Sequence, residues 1–174
     1  MTTANKLTLL RIVLIPVFLV LLYWGFPGSD WAALGVFILA SLTDLADGYV
    51  ARHYHQVSNL GKFMDPLADK VLVAAAMCWL VQTGAMTGWV LAAVLLREFA
   101  VSGLRLVAVE RGQVIAAAWS GKVKTASTMV CLCLMLVLHF RWLELVCQAV
   151  ILVTTLYSGV EYFLKNGHVF KDTD

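Results

Sequence analysis

A chain of 174 residues that is 61% hydrophobic and only 14% charged, with a mean hydropathy of +0.83, lies outside what a soluble globular domain keeps in solution. Its net charge of +2 comes from Lys and Arg scattered between apolar runs, with no continuous basic stripe, which argues against nucleic acid as a partner. The length fits one domain, residues 1–174, and spans of about 20 residues, each crossing a hydrocarbon core, would leave little chain for a soluble module.

Six apolar segments follow in order: Leu9 to Trp24, Trp31 to Val50, Leu67 to Val81, Trp89 to Val109, Trp119 to Phe140 and Leu143 to Leu164. They predict an all-α integral membrane fold with six transmembrane helices in the lipid bilayer. The first run has a basic start, as a signal peptide would, but no small-residue cleavage site follows it, so it reads as a retained span. Cys78, Cys131, Cys133 and Cys147 lie within apolar segments without CxxC spacing and are expected to be buried free thiols.

The connections Gly25 to Asp30 and Gln82 to Gly88 carry no Lys or Arg. Lys6 and Arg11 stand near the start, Arg52, Lys62 and Lys70 around the second connection, Arg105, Arg111, Lys122 and Lys124 around the fourth, and Lys165 and Lys171 after the sixth segment. That gathers eleven basic residues on one side, with Arg141 alone on the other. The positive-inside rule then puts both termini in the cytosol, and Trp24, Trp31, Trp89 and Trp142 fall at the external ends, where indoles prefer the interface.

The stretch from Asp44 to Asp69 holds four of the eleven acidic residues. Asp44 and Asp47, three apart at the cytosolic end of the second span, share a helix face, as do Asp65 and Asp69, four apart at the start of the third. If the third helix starts near Ser58, then Gly61, Asp65 and Asp69 form one i+4 row; alternatively Asp65 caps it and Pro66 is its first residue. Either way two antiparallel neighbours bring the carboxylates together at the cytosolic membrane surface. Carboxylates crowded at a partly desolvated surface repel one another unless a cation neutralises them, and hard oxygen donors suit Mg²⁺, Mn²⁺ or Ca²⁺. Mg²⁺ is usually held by a few carboxylates together with substrate phosphates, so the cluster points to a phosphate or diphosphate ligand, and its carboxylates allow two ions. Gly48 and Gly61, lacking side chains, let a substrate approach the backbone. His53 and His55 read as solvated residues of the connection.

These residues carry a resemblance. The segment is similar to the signature of the CDP-alcohol phosphotransferases, Asp-x2-Asp-Gly-x2-Ala-Arg-x8-Gly-x3-Asp-x3-Asp, and reads here Asp44, Asp47, Gly48, Ala51, Arg52, Gly61, Asp65 and Asp69, with every fixed position and spacer in agreement. The resemblance implies a six-spanning homodimer in a bacterial cytoplasmic membrane. It implies that Asp44, Asp47 and Asp65 ligate a pair of Mg²⁺ or Mn²⁺ ions, that Asp69 completes the site and acts as general base, and that Asp44, Asp47, Gly48, Arg52 and Gly61 hold the CDP moiety. Direct, single-step displacement of CMP is the expected chemistry.

The signature does not choose the attacking alcohol. Arg97 lies in the fourth span beside Glu98, and Arg97, Val101 and Arg105 form an i+4 row toward the cytosolic end; an intramembrane arginine is a functional candidate by default. Lys122 and Lys124 open the fifth span from the same side, giving a basic pocket that suits a phosphate-bearing acceptor. Glu98 is placed to pair with Arg97 and orient it; because adjacent residues share no helix face, Lys122 or Arg105 is its alternative partner.

The residues Asn5, Leu7, Thr8 and Arg11, the run from Arg97 through Gly103-Leu104-Arg105, and the run Gly121-Lys122-Val123-Lys124-Thr125 resemble those family members that join CDP-diacylglycerol to sn-glycerol 3-phosphate. In that reading Arg97, Arg105 and Lys122 bind the acceptor phosphate, with Arg111 and Lys124 behind them. Asn5, Thr8 and Arg11 lie near the CDP end, although Thr8 and Arg11 read equally as interface anchors. The alternatives are serine or inositol phosphate as acceptor on the same scaffold, an intramembrane prenyltransferase, and a membrane cation transporter. A transporter's aspartates belong near the midplane with access from both sides, whereas these cluster at one surface.

Overall fold

The computed structural model describes the backbone of residues 3–54, 59–113, 115–116 and 118–167, and the side chains of residues 9–43 and 67–167 apart from 114 and 117. Among the described residues the chain is all helical, without strands: α1 (Thr3–Trp24), α2 (Ser29–Tyr54), α3 (Asn59–Gln82), α4 (Gly88–Glu110), α5 (Trp119–Val137) and α6 (Arg141–Asn166). Each apolar segment falls mainly in one helix. The helices overrun the segments where polar residues begin: α2 continues past Val50 to Tyr54, and α3 starts at Asn59 rather than Leu67. The i→i−4 bonds of the backbone form whatever the side-chain polarity, so the apolar run marks shielding from water and not the helix end. At α5 the difference is reversed, because the helix stops at Val137 and residues 138–140 lead into α6. By length and composition α5 and α6 are able to cross a membrane, while Leu9–Trp24 and Ser29–Thr43 are shorter apolar stretches.

The chain forms two compact units, Met1–Leu80 with Leu136–Leu138, and Val81–Met135 with His139–Asp174. In the first, α1 packs on α2. Ile15, Phe18 and Leu22 bury one face of α1, and Ala33, Phe37 and Ala40 one face of α2; the Phe18 and Phe37 rings lie 5.6 Å apart. Small residues such as Ala33 and Ala40 let apolar helices approach closely, which is how helices associate when water does not drive them together. Gly25 and Gly28 turn the chain between α1 and α2 with φ of +66° and +90°, left-handed values that a side chain would strain. Ser29 N–H closes that turn on the Phe26 carbonyl at 2.9 Å. On α3 the row Ala68, Leu72, Ala76 and Leu80 is buried, and Trp79 meets Tyr23 edge-on at 5.0 Å.

In the second unit α4 packs on α6. Val101, Leu104 and Ala108 of α4 and Tyr162 of α6 form one buried cluster, with Val107, Ile115 and Ala118 against it. A Schellman motif ends α4: Gly112, at φ +72°, donates to Val109 O at 2.9 Å and Gln113 N–H to Ala108 O at 2.8 Å. The inward face of α6 carries Glu144, Gln148, Thr155, Ser158 and Tyr162, while Val146, Val153, Leu156, Val160 and Leu164 face outward. This polarity is the reverse of a surface helix in a soluble protein.

Gln148 shows why the inward face is polar. Its Oε1 accepts from both the N–H and the hydroxyl of Thr87, at 2.9 and 3.1 Å, and its Nε2 donates to Ala85 O at 3.0 Å. The buried amide thus serves the backbone of the connection before α4, whose N-cap Thr87 makes no capping bond of its own. All four cysteines are free, and Cys131 and Cys147 are buried as expected. Cys78 differs, being exposed, because it lies on the face of α3 opposite the row from Leu72 to Leu80; an apolar thiol sits well there when the surroundings are apolar too.

Replacing Gln148 with Leu leaves the Thr87 N–H and the Ala85 carbonyl without their partner. We expect Gln148→Leu to destabilise the protein by about 2 kcal/mol, and Gln148→Glu, which sets a carboxylate against the Ala85 carbonyl in place of the amide donor, by at least as much. Thermal denaturation in detergent measures both, and an unchanged midpoint for the leucine variant refutes the assignment.

Candidate active site

Asp44, Asp47, Gly48 and Arg52 lie in the C-terminal part of α2, and Gly61, Asp65 and Asp69 in the N-terminal part of α3. Because α3 starts at Asn59 and runs on through residue 66, Asp65 is an interior helical residue and not a cap. Gly61, Asp65 and Asp69 therefore occupy one i+4 row, and Asp44 and Asp47 one i+3 pair. The side chains of Asp44, Asp47, Arg52 and Asp65 lie outside the described residues, so their expected convergence does too, as do Ser58, His55 and His168. The Asp69 side chain is partly buried.

At the other end of the sequence reading, Asn5 and Thr8 are placed in α1 by their backbone alone. Arg11 is described in full and is 0% exposed. It continues the buried face of Ile15, Phe18 and Leu22 by one turn, a position that an interface anchor, which snorkels to water, does not take.

The basic residues of the second unit separate into an inner and an outer group. The Glu98 carboxylate on α4 accepts from the Lys124 ammonium of α5 at 2.8 Å and from Arg97 Nη1 at 3.0 Å, both on Oε1. The Lys124 side chain is only 5% exposed and that of Arg97 13%. Lys122, the alternative expected for Glu98, is exposed with its ammonium 5.8 Å over the Trp119 ring. At about 100° per residue two lysines two positions apart stand some 200° around a helix, so only one of them faces α4. Arg105, the other alternative, donates from Nε to the Tyr162 hydroxyl at 2.8 Å, its guanidinium 5.5 Å from that ring's centre. Arg111 is exposed in the turn after α4.

Two glycines make room for Arg97. A Cβ on Gly159 of α6 would stand 3.3 Å from Arg97 Cγ, and one on Gly121 of α5 would stand 3.4 Å from Arg97 Nη2. The guanidinium Nε is buried without a hydrogen-bond partner. Gly159 and Tyr162 escaped the sequence reading. Their signal is the spacing 148, 155, 159 and 162 along α6, which puts two small residues and two polar ones on a single helix face. Elsewhere α5 and α6 line a cavity of about 310 Å³ with Trp119, Val123, Val153, Thr154 and Tyr157 among its walls. Glu161, for which the sequence suggested no role, also borders it and pairs with Lys165 one turn on.

The chain is similar to known proteins over most of its length. The family model described as CDP-alcohol phosphatidyltransferase matches residues 1–158. The chain is 41% identical to the CDP-diacylglycerol–glycerol-3-phosphate 3-phosphatidyltransferase of Bacillus subtilis strain 168, over 98% of this chain and 97% of that protein. It is 40% identical to the protein of the same description from Escherichia coli K12, over 90% of each. It is also 38% identical to a probable phosphatidylglycerophosphate synthase of Mycobacterium tuberculosis H37Rv, over 93% of this chain and 80% of that one.

The glycine contacts give a graded expectation. Gly159→Ala requires Arg97 to move by a few tenths of an ångström and costs under about 1 kcal/mol; Gly159→Val sets further methyl groups against the Arg97 stem and destabilises by about 1–3 kcal/mol. The order of their denaturation midpoints checks the placement of Arg97, and equal midpoints contradict it.

Proposed function

The chain belongs to the CDP-alcohol phosphatidyltransferase family, and from that premise we propose that it transfers the phosphatidyl group of CDP-diacylglycerol to sn-glycerol 3-phosphate, giving phosphatidylglycerophosphate and CMP. The Arg97–Glu98–Lys124 cluster carries the choice of acceptor. Among the described residues two mostly buried cations share one carboxylate oxygen, leaving one positive charge in excess at a place where charge is costly. A phosphate monoester supplies the missing counter-charge; serine, a neutral zwitterion, does not. The relatives from Bacillus subtilis and Escherichia coli carry this donor and acceptor in their names.

In this reading Arg97 and Lys124 receive the acceptor phosphate, and Arg105, Lys122 and Arg111 form an outer basic rim. Asp44, Asp47, Asp65 and Asp69, two on α2 and two on α3, are a hard-oxygen donor set that fits Mg²⁺ or Mn²⁺, two ions in all. Such ions, when bound, neutralise the diphosphate and make CMP a better leaving group. Gly48, Arg52 and Gly61 hold the CDP moiety, near the end of α1 that carries Asn5, Thr8 and Arg11. Asp69 takes the proton of the attacking hydroxyl as its oxygen bonds to the phosphatidyl phosphorus and the bond from that phosphorus to CMP breaks.

We place six spans in a bacterial cytoplasmic membrane with both termini in the cytosol, and the aspartates at the cytosolic surface. The apolar outward surface supports this: Trp89, Trp142 and Leu164 are 85%, 82% and 80% exposed, which water tolerates poorly and a bilayer does not oppose. The homodimer implied by the family resemblance belongs to the same proposal and is read from particle mass in detergent.

Release of CMP by purified protein with CDP-diacylglycerol and Mg²⁺ or Mn²⁺ tests the reaction. Glycerol 3-phosphate should drive turnover where serine and inositol phosphate do not; a preference for serine overturns the reading of the basic cluster, and a preference for inositol phosphate, also a phosphate monoester, overturns the choice of glycerol 3-phosphate. Asp69→Asn should lower kcat about a hundredfold or more. Removing divalent metal with EDTA should abolish turnover, with recovery on adding Mg²⁺ or Mn²⁺; full activity in EDTA refutes the metal assignment.

A further inference from the structure

We infer that Glu98 is a positioning residue for the acceptor, holding Arg97 and Lys124 as a prearranged phosphate fork rather than merely balancing their charge. This rests on the acceptor reading above and goes one step beyond it. The two nitrogens bind the same oxygen, Oε1, at 3.0 and 2.8 Å, so they sit side by side and repel each other across it. Without that oxygen, the like charges of Arg97 and of a lysine side chain only 5% exposed drive the two groups apart.

The surroundings leave Arg97 little choice of position. Its stem runs past Gly159, 3.3 Å from where a Cβ would stand, and its Nη2 past Gly121 at 3.4 Å. Nη1 is turned to Glu98, and Nε is buried without a hydrogen-bond partner. Lys124 reaches the same carboxylate from α5. Glu98 therefore ties the Lys124 ammonium to the Arg97 guanidinium, and the fork is formed before substrate arrives.

Two accounts of Glu98 predict opposite signs. If it only offsets charge, neutralising it raises the positive potential and tightens binding of a phosphate. If it positions, neutralising it scatters the fork and weakens binding. We therefore expect Glu98→Gln, in the full-length protein in detergent, to raise KM for glycerol 3-phosphate about tenfold or more while KM for CDP-diacylglycerol stays within about twofold, the pattern of lost acceptor binding. Glu98→Asp, which keeps the charge on a shorter stem, should recover part of the loss. In a Lys124→Met background the further change Glu98→Gln should cost less than about threefold, because the group it positions is already gone.

The inference is overturned if Glu98→Gln lowers or leaves unchanged KM for glycerol 3-phosphate, if the two substitutions multiply independently, or if both substrates' KM values rise together with a fallen denaturation midpoint. Should Glu98→Gln not fold, Glu98→Asp decides: KM for the acceptor raised alone supports positioning, and an unchanged value refutes it. Wild-type protein that does not use glycerol 3-phosphate overturns the acceptor reading and this inference with it. Wild-type protein that does, with an indifferent Glu98→Gln, overturns the inference alone.

Discussion

Charge placed among apolar helices must find counter-charge or hydrogen bonds within reach, and the second unit is arranged around meeting that demand. An exposed ion pair contributes little and is readily exchanged for water. A buried one, with the Lys124 ammonium and the Arg97 guanidinium on a single Glu98 oxygen, holds its helices to one rotation, because removing a partner strands a charge in a medium that solvates it poorly. The contact ties α4 to α5 at this point and leaves the local excess of positive charge on which the proposed acceptor site rests.

α6 serves the same demand along its length. Near its start Gln148 satisfies the backbone before α4. Further on, Gly159 leaves space for the Arg97 stem, and Tyr162 takes the Arg105 Nε. These residues share one face because their spacings come close to whole numbers of helical turns. A single helix thus spaces and orients parts of its neighbour through a glycine, an amide and a phenol, none of them charged at neutral pH.

The proposed chemistry divides between the two units. The aspartates of α2 and α3 belong to the donor diphosphate and its metal, the cations of α4 and α5 to the acceptor.

Much was legible in the sequence. Six apolar runs marked the helices described, because apolar runs of that length suit a helix better than a strand. The spacing from Asp44 to Asp69 gave the carboxylate rows, because a helix brings positions three and four apart together whatever surrounds them. Tertiary structure alone decided helix rotation. The sequence reading set Lys122 ahead of Lys124, yet it is Lys124 that pairs with Glu98 of α4 while Lys122 lies against Trp119. Arg11 read equally as a residue near the CDP end or as an interface anchor, and its burial speaks against the anchor. Rotation is hidden because several of these helices are apolar on most sides, so periodicity does not mark the inward face. It is set by where the few polar groups find partners, and those partners stand on other helices far away in the chain.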